Sequence, residues 1–377
     1  MKLKNIMMRT MVAVTLISFL LTGCGQKTES ASTAAPAEQK TSETKKEETK
    51  KEEPKKADKE LVVVSWGGAI QDAQRTAIFK PFEEKFGVKI KEVSPPDYGK
   101  LKAMVAAGKT EWDVMDLDAD FVPRGIKENL LEPLDFNIID KTDLDPMSTN
   151  DYSVGAEYYT TGIAYNSEVV KTGSHPKNWA EFWDTSKFPQ ARTLQKWPVP
   201  TLEIALLADG VAPDKLYPLD VDRAFKSLDK IKKNVKAWWA TGAQSAQLLT
   251  DKETPLGGVW SGRIIAAKKQ GAQVEIEVNQ SVLLVDSWAV PKGTTRKELA
   301  MKFIAFATSP QPQADFAKAY PYGVPNKKAY DLMDEATKAT LSTSPEKRPL
   351  QVSIDVNWWA ENFDKVNERF QKWLIEQ

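Results

Sequence analysis

From residue 61 onward the chain alternates short β-branched runs with amphipathic segments, which restricts it to an α/β fold built on a mostly parallel sheet. Leu61-Val62-Val63-Val64-Ser65 reads as a buried strand. Residues 70–86 place Ala73, Ala77, Ile78, Phe82 and Phe86 at helical spacing and stop at Gly87, a good C-cap residue. Residues 88–93 return to strand, 98–107 to a helix stopped at Gly108, and 112–117 to strand. Further helices are predicted near 201–208, 220–233, 243–250, 262–270, 296–307, 311–319 and 358–375, with strands near 160–165, 256–260 and 282–290. About 315 residues follow the tether described below, enough for two lobes. With no repeat and no linker after residue 60, chain crossings rather than a hinge peptide join them.

The N-terminal residues set the compartment. Lys2, Lys4 and Arg9 precede an apolar run at 11–21, too short to span a bilayer, so residues 1–23 read as a secretion signal. Leu21-Thr22-Gly23-Cys24 matches a lipobox, and Cys24 is the only cysteine, so no internal disulfide is available to it. Acylated Cys24 would become the mature N-terminus and hold the protein to a membrane surface, since each buried methylene adds about 0.8 kcal/mol. Residues 24–60 supply a Ser/Thr/Ala-rich, then Lys/Glu-rich stretch that lacks the apolar surface to order itself. The expected location is extracytoplasmic, lipid-anchored to the cell membrane. The full chain has net charge 0, and loss of Lys2, Lys4 and Arg9 leaves the mature chain at −3. That balance argues against a nucleic-acid partner.

Catalytic parts are scarce. His175 is the only histidine and precedes Pro176, where it reads as a turn residue. No G-x-S-x-G elbow, CxxC, HExxH, EF-hand loop or P-loop is present. The adjacent Tyr158 and Tyr159 would face opposite ways on a strand, which counts against a ferric site. No enzyme activity, metal or cofactor is expected.

Aromatics and carboxylates instead fall at strand ends, where open α/β sheets bind ligands. Trp66 follows the first strand with Gly67-Gly68 beyond it, Asp116, Asp118 and Asp120 follow the third, Trp260 ends the 256–260 strand, and Asp286 lies within 283–291. An indole face attracts an ammonium by about 0.5–2 kcal/mol, and a buried carboxylate neutralises it through charge-assisted hydrogen bonds. Of Asp116, Asp118 and Asp120, alternation is expected to turn at least one away from the cleft.

Val64-Ser-Trp-Gly-Gly-Ala-Ile70, Asp113-Val-Met-Asp-Leu-Asp118, Trp239-Ala-Thr-Gly-Ala-Gln244, Gly258-Val-Trp-Ser-Gly-Arg263 and Val285-Asp-Ser-Trp-Ala-Val-Pro-Lys292 together resemble the spermidine/putrescine-type solute-binding proteins of ABC importers. The resemblance runs over 61–377 and includes Trp358-Trp359-Ala-Glu-Asn362. It implies a type II periplasmic-binding-protein fold, with residues 61–166 plus 288–330 as one α/β lobe and 167–287 plus 331–377 as the other. By motif it assigns ligand contacts to Trp66, Trp260 and Asp286, with Asp118 and Tyr322 at further contact positions; Gly67, Tyr159 and Trp197 complete the expected site. The implied partners are a small cationic amine and an ABC permease, and the protein is expected to act as a monomer.

The departures from that pattern matter. Leu284 stands where the polyamine receptors carry an aromatic, Ala69 where they carry a tyrosine, and Lys196-Trp197-Pro198 with Glu203 differs from their acidic stretch. These departures favour a smaller or zwitterionic ligand; on the resemblance a polyamine still ranks first, with a zwitterion such as γ-aminobutyrate close behind, its amine on Asp286 and its carboxylate on Lys196 or Arg263. A surface lipoprotein hydrolase and a sensory receptor are the readings from other classes.

Overall fold

A computed structural model of the chain describes residues 59–376, apart from 119, 342 and 345. The predicted signal peptide, Cys24 and the tether as far as residue 58 lie outside the described residues. Among the described residues no helix is long and apolar enough to cross a membrane.

Among the described residues eleven strands form one sheet: β1 (Glu60–Val64), β2 (Lys89–Val93), β3 (Val114–Asp118), β4 (Leu131–Glu132), β5 (Thr149–Asn150), β6 (Ser153–Asn166), β7 (Arg192–Gln195), β8 (Val235–Trp239), β9 (Leu256–Trp260), β10 (Val274–Pro291) and β11 (Val352–Ser353). The main path runs β2-β1-β3-β10-β6-β9-β7-β8, with β4 and β11 added to β10 and β5 to β6. The first strand already begins at Glu60, so the tether gives way one residue earlier than expected.

The expectation of a mostly parallel sheet holds only at the flanks. β1 pairs in parallel with β2 and β3, and β7 does so with β8 and β9. The centre is antiparallel: β10 against β3 and β6, and β6 against β9. This follows from the lengths of β6 and β10, 14 and 18 residues, which run past one another from Val274↔Asn166 to Ala289↔Ser153. These two strands are the chain crossings between the halves of the sheet. Every residue of β6 is buried, so it lacks the in-out alternation of a one-faced strand. β10 changes register twice, between Glu277 and Val282 and between Asp286 and Ser287. Such bulges bend a strand and re-aim its side chains.

Helices cover the sheet. The run that starts at Gly68 passes through one π turn (Arg75–Phe79) and ends at Gly87, whose φ of 64° suits its C-cap position. Its Phe79 and Phe82 pack on Phe303 at ring distances of 5.8 and 5.3 Å, and Trp288 of β10 meets Phe303 at 5.4 Å. All four side chains are fully buried, which seats this helix and the 297–307 helix on one face of the sheet. The C-terminal helix Val356–Ile375 buries Trp359, Phe363, Val366, Phe370 and Trp373 along one stripe.

Candidate functional site

Strand ends converge on a cavity of about 710 Å³ walled by Trp66, Tyr98, Asp118, Asp120, Tyr159, Lys196, Trp197, Trp239 and Trp260, among others. At its floor a recess of about 30 Å³ is lined by Trp66, Ile70, Asp118, Tyr159, Trp260, Arg263, Asp286 and Tyr322. Of the eight expected site residues, Trp66, Asp118, Tyr159 and Trp260 line both, Trp197 lines the cavity, and Asp286 and Tyr322 line the recess. Gly67 lines neither and serves the turn. It and Gly68 have φ of 70° and 59°, and the Gly67 N–H donates to the Gln71 side chain at 2.9 Å. A Cβ on Gly67 would meet the Ser94 hydroxyl at 3.1 Å.

The recess walls are aromatic. Tyr159 stacks on Tyr322 at 5.4 Å and meets the Trp260 edge at 5.9 Å, while Trp260 stands edge-on to Trp239 at 5.0 Å. Tyr158 points away as strand alternation predicts; its hydroxyl donates to Asp145 at 2.9 Å. His175 is also remote, stacked on Tyr165 at 4.1 Å beside Glu277 at 3.2 Å.

Carboxylates form the polar side. Asp286 pairs across the sheet with Asp118 of β3 and Glu157 of β6. One oxygen each from Asp116, Glu157 and Asp286 lies within 4.8 Å of the others, and all three residues are buried. Asp116 accepts from Gln74 at 2.8 Å and Ser65 at 3.3 Å, and Asp118 accepts from the Tyr98 hydroxyl at 2.7 Å. Burial is the main force raising their pKa values, to about 7 for Asp116, about 6 for Asp118 and about 8 for Asp120. Asp286 and Glu157 are also held well above the ordinary range, by burial first and then by neighbouring charge, that of Asp116 foremost. Such a donor set suits a cation, whether an ammonium or a metal ion.

Of the three aspartates Asp116 lines neither cavity nor recess, but alternation is not the reason. Asp116 and Asp118 are two apart on β3 and share a side of it, while Asp120 lies beyond the strand, directly before the helix Phe121–Lys127. Asp118 and Asp120 line the cavity, whereas Asp116 sits deeper, against Glu157 and Asp286. Glu157 and Tyr98 escaped the sequence reading as site residues, and Trp239 entered it only as the start of a motif, although a lone charge inside the run Ser153–Asn166 marked Glu157.

Arg263 supplies the opposite charge. It lies in the first turn of the helix Ser261–Lys269, beside the Gly68 turn, where a Cβ would stand 3.7 Å from its guanidinium. A Cβ at Gly242 would fall 2.6 Å from Arg263 Nε, so that glycine makes its room. Buried polar atoms without a partner include Arg263 Nε, Trp66 Nε1 and Asp286 Oδ1. The recess thus carries donors and an acceptor together, all desolvated.

A profile for bacterial extracellular solute-binding proteins matches residues 77–343. The chain belongs to this family. This solute-binding protein is 37% identical over 325 residues to the gamma-aminobutyric acid-binding protein of Pseudomonas aeruginosa, covering 84% of this chain and 91% of that one. It is 24% identical over 290 residues to the spermidine/putrescine-binding periplasmic protein of Salmonella typhimurium, with 72% and 80% covered. The solved Atu4243–GABA receptor superposes with a TM-score of 0.78 at 47% identity, covering 84% of this solute-binding protein and 98% of the receptor. An ABC transporter substrate-binding protein from Bradyrhizobium japonicum superposes at 0.80 with 39% identity over 84% and 99%. These relatives are binding proteins rather than enzymes, and the family works outside the cytoplasm.

Proposed function

We propose that this solute-binding protein captures a small zwitterionic γ-amino acid of the γ-aminobutyrate kind and hands it to an ABC permease. The observation that carries the reading is the pair of unpartnered buried groups of opposite charge in one recess, Asp286 Oδ1 and Arg263 Nε. A zwitterion satisfies both, its ammonium on Asp286 between aromatic faces and its carboxylate on Arg263 and the Trp66 N–H. A diamine would leave the guanidinium without an anion, which is costly in a desolvated site. The order reached from the sequence motifs, polyamine before zwitterion, is thereby reversed, and the 37% identical γ-aminobutyrate-binding relative supports the reversal.

In this reading the lobes are 61–166 plus 288–330 and 167–287 plus 331–377. The β10 bulge beside Ser287 supports the limit there, whereas Thr161–Tyr165 of β6 already pair with β9 of the second lobe, which argues for a β6 crossing before residue 161. The ligand favours the closed state because both lobes contact it only there. Acylation of Cys24 keeps the monomeric receptor near its permease and raises the local concentration.

Calorimetric titration of the purified protein with γ-aminobutyrate and putrescine tests the assignment. Arg263→Met should weaken γ-aminobutyrate by about 30-fold, the scale of one charge-assisted pair, and spare putrescine. Asp286→Asn should weaken both. Tighter putrescine binding in the native protein, or undiminished γ-aminobutyrate binding in Arg263→Met, would sink it.

A further inference from the structure

Asp286, Asp118 and Asp120 form a track of carboxylates that leads from the recess into the cavity. An extended diamine would lie along such a track, one ammonium at each end. A cation stands one helical turn beyond the outer end, behind the cavity wall. Asp120 directly precedes the helix Phe121–Lys127, and Arg124 follows it by four residues, one turn on along the same face. The Arg124 side chain is only 14% exposed and is clamped between two rings, Phe121 of its own helix at 4.9 Å and Phe363 of the C-terminal helix at 4.5 Å. Its one ion pair among the described residues, to Asp364 at 3.4 Å, is with a carboxylate that is 87% exposed and well screened. The positive charge of Arg124 reaches Asp118 and Asp120, where it opposes the upward pKa shift that burial gives both.

We propose that Arg124 is a specificity-determining residue, an internal cation clamped beside Asp118 and Asp120 that stands in for a diamine's second ammonium and restricts the site to ligands bearing one positive charge. The inference rests on the assignment of Asp286 as the amine partner. Arg124 touches no ligand; it acts through Asp118 and Asp120. A second ammonium arriving there meets like charge in a half-buried place, where such repulsion is only partly screened. The single ammonium of a γ-amino acid, seated at Asp286, stays farther from it.

The test is calorimetry with putrescine and γ-aminobutyrate on the native protein, Arg124→Met and Arg124→Lys, with melting curves to establish that each folds. Methionine keeps the stem between the two rings and removes the charge. Arg124→Met should raise putrescine affinity relative to γ-aminobutyrate by about tenfold or more, and Arg124→Lys should keep the native ratio. A merely structural role would move both ligands together, and an unchanged ratio would overturn the proposal. Failure of γ-aminobutyrate to bind the native protein would sink the function proposed above, yet putrescine alone still reads the effect of Arg124. A ligand-independent arm is carbon-13 NMR titration of the aspartate carboxyls. Asp118 and Asp120 should titrate higher in Arg124→Met, and unmoved titrations would refute the action of Arg124 whatever the ligand. Should the methionine variant not fold, Arg124→Gln takes its place.

Discussion

Replacing Asp116 by asparagine should stabilise the ligand-free protein at pH 8 and leave it nearly unchanged at pH 4. Burial raises the Asp116 pKa from an ordinary 3.8 to about 7. A carboxyl whose folded pKa is raised contributes stability below its unfolded pKa and loses it as pH climbs through the folded value. For Asp116 that window runs from about pH 4 to about pH 7. A shift of about three units corresponds to about 4 kcal/mol at 1.36 kcal/mol per unit. Glu157 and Asp286 compete for the same protons, so we expect about half of that, 2 kcal/mol, from one substitution. Asparagine also keeps an acceptor for Gln74 and adds an N–H for Glu157 or Asp286, each of which has a buried oxygen without a partner. Unfolding a domain of roughly 320 residues at about 2.1 cal/mol/K per residue converts 2 kcal/mol into about 3 °C of melting temperature. Urea denaturation and calorimetry at pH 4 and pH 8, at fixed ionic strength, measure the difference. A gain equal at both pH values, or none at pH 8, would refute the electrostatic account of this cluster.

Two further substitutions separate site from scaffold. Gly262→Ala puts a Cβ 2.2 Å from the Tyr322 ring and 2.9 Å from Tyr320, so it should displace the recess wall and cost more than about tenfold in ligand affinity by calorimetry. Arg192→Met should do the reverse. The buried Arg192 guanidinium donates to the carbonyls of Phe182, Phe188 and Gln190 at 2.7, 2.6 and 2.7 Å, and its loss leaves them unpaired. We expect about 3 kcal/mol less stability in denaturant melts, with ligand affinity unaltered.

Local signals carried much of this structure. The first strand, its helix and Gly87, and the next two strands are written in short-range spacing, and they fall within a few residues of where the chain forms them. β7 and β8 escaped, because Arg192–Gln195 spans only four residues and begins and ends on polar side chains, and Lys236 breaks the apolar run of Val235–Trp239. The antiparallel centre was not legible either, since it depends on Asn166 meeting Val274, a pairing no local pattern encodes. Trp66 and Trp260 were legible as site residues because each follows or ends a readable strand. Arg124 was not, for its role arises only when Phe363, from the far end of the chain, closes over it.

The place of β10 in the sheet bears on how the chain reaches its fold. Its neighbours β3 and β6 are synthesised long before it, yet it lies between them. Until Val274 and its successors are present, both neighbours offer a bare edge and the core has no middle. Contacts so distant in sequence make for slow folding, and an incomplete chain would be prone to aggregate. Truncations that end before β10 should therefore yield no soluble half. For a protein that works outside the cytoplasm, late closure also leaves the chain open for longer after synthesis, when it must be carried across a membrane.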